Sequence, residues 1–139
     1  MRENVWRFFD VQYPDGSNPI EGWYQNLSEE ARDAFNKLLK NHRKTENPQE
    51  WIGFKRFLKG KQLQKERIWE WWFVADGRQY RVFGKFWQGE RKQAILLAGC
   101  YHKGEIYTPS NVFESACKRS RDLSEGRAQP SEREVKEDI

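Results

Sequence analysis

The chain predicts an α+β fold: an N-terminal strand, a two-helix hairpin, an antiparallel β-meander and a C-terminal helix. Three observations carry that expectation. Apolar side chains between Ser28 and Leu58 recur at three- and four-residue spacing, the period of a helix with one buried face. Between Ile68 and His102 the pattern changes to aromatic-rich and apolar runs separated by turn residues, as in adjacent strands. A last helical stretch opens after Thr108-Pro109. With 139 residues the chain fits one domain, and 15% aromatic residues, including seven Trp and nine Phe, can fill its core.

The elements follow in order. Val5 to Tyr13 is β-branched and aromatic and stops at Pro14-Asp15-Gly16, so it reads as a strand ended by a turn. Pro14 to Asn26 holds two Pro and two Gly without a period and is expected to be irregular, with Trp23 and Tyr24 pinning it to the core. Ser28 caps the next helix, Glu29 and Glu30 favour its positive end, and Ala31, Ala34, Phe35, Leu38 and Leu39 share one face. Asn47, Pro48 and Glu50 form a capping pattern that predicts a second helix ending near Lys59-Gly60, with Trp51, Phe54 and Leu58 inward. Lys61 to Arg67 reads as a polar link.

Strands are then expected over Ile68 to Ala75, Tyr80 to Trp87 and Gln93 to His102. The turns between them are Asp76-Gly77 and Gln88-Gly89-Glu90. Ala94 to Ala98 is apolar on both faces, as a central strand covered on both sides requires. Val112, Phe113, Ala116 and Cys117 face inward from the last helix. The tail from Ser124 is charged and poor in apolar residues, so a single domain over 1–123 followed by a flexible segment over 124–139 is expected.

Charge narrows the partners. The net charge is +4, but from Ser124 onward three basic residues meet five acidic ones, leaving +6 on the residues before it. Between Lys37 and Lys65 nine Lys and Arg meet only Glu46 and Glu50, a patch that suits a polyanion and equally a solvated helix face. Cys100 and Cys117 cannot form a disulfide framework, and no His/Cys cluster has zinc-ligand spacing. No apolar run is long enough to span a bilayer and no leader stands at the N-terminus, so a cytoplasmic protein without metal or cofactor is expected.

Three stretches carry a family resemblance: Ile68-Trp69-Glu70; Gly77-Arg78-Gln79-Tyr80-Arg81-Val82-Phe83; and Leu96-Leu97-Ala98-Gly99-Cys100-Tyr101-His102-Lys103 followed by Ile106-Tyr107-Thr108-Pro109. Ala116 and Lys118-Arg119 add a closing helix. In this order they resemble the RelE/ParE toxin superfamily, in its HigB-like, phage host-inhibition-like branch, roughly from Val5 to Leu123. Gly84 departs from the pattern, which commonly has a bulky residue there. The resemblance implies a RelE-like microbial RNase fold, a toxin held by a cognate antitoxin, and a basic concave surface that in many relatives enters the ribosome and cuts mRNA. In other relatives DNA gyrase is the target and no RNA is cut.

Metal-free RNA cleavage needs a base for the 2′-hydroxyl, cations for the phosphorane and an acid for the leaving oxygen. On that implied surface the residue types able to supply these are Arg81, His102, Lys103 and Tyr107. Arg81 is equally a structural ion pair with Glu70 across the hairpin. His102, whose ordinary pKa lies near neutrality, serves either as acid or base or as a structural residue. Lys103 stands where relatives carry a cation for phosphate, and Tyr107 either stacks on a base or packs. Lys59, Lys61, Lys65 and Arg67 are RNA-binding candidates or a solvated link. Most of Trp69, Trp71, Trp72, Phe83 and Trp87 are expected in the core, an exposed one serving a partner protein. A ribosome-dependent mRNA endonuclease leads, with a gyrase-type inhibitor or a plain RNA-binding module as alternatives.

Overall fold

β1 (Arg7–Gln12), running through buried Phe8, Phe9, Asp10 and Val11, opens a mixed α+β fold whose sheet is mostly antiparallel. A computed structural model describes residues 4–87 and 92–137. Among them, β2 (Phe54–Lys55), β3 (Trp69–Ala75), β4 (Arg78–Phe86), β5 (Gln93–Lys103), β6 (Ile106–Thr108) and β7 (Gln129–Glu132) complete one sheet with the order β2-β3-β4-β5-β1-β7. β6 pairs with the far end of β5. The expected meander is β3-β4-β5, paired antiparallel and turned at Asp76-Gly77, both with positive φ as a tight hairpin demands. β1 joins β5 in parallel, with Phe8 opposite Ala94 and Asp10 opposite Leu96. The expected turn at Gln88-Gly89-Glu90 lies outside the described residues.

Helices cover the two faces of the sheet. α1 (Pro19–Gln25) and α2 (Glu29–His42) belong to one face, where Ile20, Phe35 and Leu39 join Phe8, Trp69, Trp71, Phe73, Tyr80 and Leu96 in an aromatic core. α3 (Lys61–Glu66) and α4 (Val112–Ser124) belong to the other, with Val112 and Ala116 packed on Phe83, Ile95, Leu97 and Cys100. Among the described residues no helix is long and apolar enough to cross a membrane.

Four expectations require correction. The segment Pro14 to Asn26 contains α1, because Asn18 accepts from the Glu21 amide and Pro19 supplies the first helical position. No second helix follows Asn47: the cap closes a single 3₁₀ turn at Pro48–Glu50, and Trp51 leaves it in extended conformation. Gly53, with φ +75, then brings the backbone so close to β3 that a Cβ would lie 2.3 Å from the Trp72 carbonyl oxygen. The helical hairpin is therefore replaced by α2 and a short edge strand. The expected link at Lys61 to Arg67 is α3, held to the sheet by Leu63, whose carbonyl accepts from the Ile68 amide.

Within the segment over 124–139, expected to be a flexible tail, residues Gln129–Glu132 form β7. β7 pairs antiparallel with β1, and Arg133 reaches Asp10 at 2.7 Å and Glu21 at 3.1 Å while lying over the Tyr24 ring. Hydropathy misses such an anchor, since main-chain pairing and a buried ion pair hold it rather than apolar side chains.

Candidate functional site

Side chains directly opposite one another on neighbouring strands point to the same face. Register therefore builds the site. Val74, Gln79, His102 and Tyr107 stand in one row across β3, β4, β5 and β6. Trp72, Arg81 and Cys100 form the next row, and Glu70, Phe83 and Ala98 the third. This is the face on which α4 packs, but α4 covers it incompletely: Trp72 is 47% exposed and Val74 58%. An uncovered strip of sheet remains, carrying an aromatic ring, a guanidinium and an imidazole.

Arg81 is its centre. Its guanidinium meets the buried Glu70 carboxylate at 2.9 Å, and its Nε donates to His102 Nε2 at 3.0 Å. Since Nε2 accepts that bond, the imidazole proton sits on Nδ1, which faces the Gly104 carbonyl oxygen at 3.0 Å. The positive φ of Gly104 turns that carbonyl back toward the ring in the β5–β6 hairpin. His102 is thus fixed in orientation and tautomer from both sides. Tyr107 lies beside it, ring centroids 5.3 Å apart, and continues through Phe113 at 5.0 Å to Phe83.

Arg81, His102 and Tyr107 are therefore brought together, and the anticipated Arg81–Glu70 pair is present. Lys103 is not part of this group: it lies opposite Ile106, alternates with His102 and faces the other side of the sheet. Cys100 sits beneath Arg81, and burial pushes its thiol up to about 12, which keeps it protonated and inert at neutral pH.

The four basic candidates between β2 and β3 divide. Lys61 and Lys65 line a groove of about 700 Å³ between α3 and α4, together with Phe113 and Arg121. Arg67 closes α3 in left-handed conformation and lies over the Phe57 ring at 4.6 Å. Lys59 is exposed in the turn before α3. Arg119, expected among the closing cations, turns inward and donates to the Leu97 carbonyl oxygen at 2.9 Å.

Sequence reasoning missed Trp72 as a surface group. Its signal lay in the period of two: Trp69, Trp71 and Phe73 alternate into the aromatic core, so Trp72 and Val74 fall on the other face. Arg121 and Lys85 were also missed, because their spacing in sequence does not reveal which groove they reach. Among the described residues no cluster of His, Cys, Asp or Glu is placed to hold a metal ion. No family model matches this chain, and neither a curated protein nor a solved structure matches it.

Proposed function

We propose that this chain is a toxin of the RelE/ParE kind, a ribosome-dependent mRNA endonuclease with a RelE-like fold, restrained by a cognate antitoxin. The observation that carries the reading is the uncovered strip of sheet on which Trp72, Arg81, His102 and Tyr107 stand together. A single RNA strand laid across it meets a ring for a base, a guanidinium for a phosphate and an imidazole for a proton. The Gly104 carbonyl holds the His102 Nδ1 proton, so the Nε2 lone pair is the one presented on this face.

In the proposed step Arg81 turns its Nε from His102 to the scissile phosphate while Glu70 keeps hold of its guanidinium. The freed Nε2 removes the 2′-hydroxyl proton, the 2′-oxygen bonds to phosphorus, and the 5′-oxygen leaves with a proton from solvent. Arg81 offsets the charge that builds on the phosphorane. Trp72 and Val74 also form the apolar part of a surface that an antitoxin would cover when the toxin is silent.

A second reading has its own support. Both ring nitrogens of His102 are already bonded, to Arg81 and to the Gly104 carbonyl, which suits a structural strut in a non-enzymatic inhibitor of the same fold. Controlled expression in a bacterial host, with mRNA 5′ ends mapped and plasmid supercoiling followed, separates the two. Growth arrest with translation-dependent cuts, both lost in His102→Ala, is the expected result. Arrest that persists in His102→Ala without cuts, accompanied by altered supercoiling, favours the inhibitor.

A further inference from the structure

At the end of β4, away from the His102 row, a second groove of about 700 Å³ runs between the end of α3, the end of α4 and Trp87. Its wall contains an uncommon arrangement of like charges. The guanidinium of Arg56 lies over the Phe57 ring at 5.0 Å and that of Arg67 over the same ring at 4.6 Å. Neither is ion-paired with a carboxylate among the described residues. Both Phe57 and Arg67 hold their backbones at positive φ, 30° and 58°, conformations unfavourable for non-glycine residues. Two like charges and a strained turn thus stand at one ring.

The floor of the groove pairs a cation with the nearby carboxylate. Lys85 enters it half-buried, with Nζ donating to Ser120 Oγ at 2.7 Å, and Ser120 in turn donates to Glu66 Oε1 at 2.6 Å. Burial lowers the affinity of the Lys85 amine for its proton, and Glu66 works against that. Glu66 is thereby engaged with Ser120 and Lys85, leaving Arg56, Lys65 and Arg67 to face solvent. Lys65 also lines the groove that holds Lys61 and Arg121, so the two depressions are contiguous along α3. Half-buried Trp87 supplies a flat apolar wall beside these cations.

From this geometry we infer that the groove is a binding track for single-stranded RNA: Arg56 and Arg67 clamp a phosphodiester and Trp87 stacks a neighbouring base. Guanidinium groups match phosphate oxygens in forked geometry, and alternating cations and aromatic faces match a ligand that alternates phosphates and bases. An acidic peptide would use the cations and leave Trp87 idle. The assignment rests on the proposed RNA-directed function and extends it: the strand contacts the chain at a second place, where no chemistry occurs.

Anisotropy of a labelled single-stranded oligouridylate, titrated with the full chain over a range of salt, tests this. The variants are Arg56→Gln combined with Arg67→Asn, since Asn tolerates the left-handed backbone, and separately Trp87→Ala. Circular dichroism selects variants that keep the fold, and Arg56→Lys with Arg67→Lys preserves charge should the first pair fail to fold. Loss of the two guanidinium groups is expected to weaken binding about tenfold or more and to flatten the salt slope by about 0.7, the share of the one phosphate they clamp. Trp87→Ala is expected to weaken binding about tenfold with little change in slope, and the lysine pair to keep the slope while losing affinity. Wild-type binding that all these variants retain overturns the track while leaving RNA-directed function standing. Failure of the wild type to bind single strands overturns both. Equal weakening toward duplex RNA or anionic vesicles also overturns the track, because it would mark a surface selective only for charge.

Discussion

Gly84 shows how one residue conditions a core. A Cβ there would lie 2.5 Å from the Trp69 ring and 2.8 Å from the Ile95 carbonyl oxygen, at the point where β4 and β5 shift register. The bulky residue expected from the resemblance has no room because Trp69 fills the space. Gly84→Ala should cost about 1–3 kcal/mol of stability, as overpacking does, measured by urea denaturation. His42 is equally constrained: it is stacked on Trp51, with Nε2 lacking a hydrogen-bond partner, and burial holds its pKa down to about 3. The unfolded chain therefore binds a proton that the folded one refuses between about pH 6.5 and 3, so stability falls as the medium is acidified through that window. His42→Phe should remove a slope of about 1.4 kcal/mol per pH unit from the acid limb of the stability curve. An unchanged limb would mean that this imidazole ionises freely in the fold.

At the scale of elements, an Asn-Pro start does not by itself reveal whether a helix follows or how far it runs. Asn18-Pro19 and Asn47-Pro48 present the same two-residue start, yet one opens α1 and the other a single 3₁₀ turn. The difference is tertiary: Gly53 sits against the Trp72 backbone, which forces the chain out of helix and into β2. Trp51, Phe54 and Leu58 do turn toward the interior at their three- and four-residue spacing, but through a turn and an edge strand. β7 was illegible for another reason, because Arg133 rather than an apolar side chain fastens it. Arg133→Met would leave Asp10 buried beside Glu21 with its cation gone, its carboxyl pushed further up by desolvation. A loss of about 3 kcal/mol or more is expected in chemical denaturation. A loss below about 0.5 kcal/mol, typical of an exposed position, would show the strap to be peripheral.

For the molecule as a whole, the asymmetry between the two faces of the sheet matters most. One face is sealed by α1 and α2 over an aromatic core, while α4 leaves Trp72 and Val74 exposed on the other. Arg81, His102 and Tyr107 could be singled out in the sequence, but their convergence with Trp72, and the separation of Lys103, depend on strand register. Trp72→Ala should weaken single-strand RNA binding about tenfold, the contribution of one stacked base, with little effect on stability because the ring is exposed. Titration with labelled RNA alongside thermal unfolding checks both halves of that expectation. The most direct test of the proposed chemistry is the rate of mRNA cleavage by the purified chain on translating ribosomes, wild type against His102→Ala. Cleavage that falls by about 10²–10⁴-fold in the variant, with ribosome association retained, is the predicted result. Cleavage at an undiminished rate in His102→Ala, or none by the wild type, would contradict it.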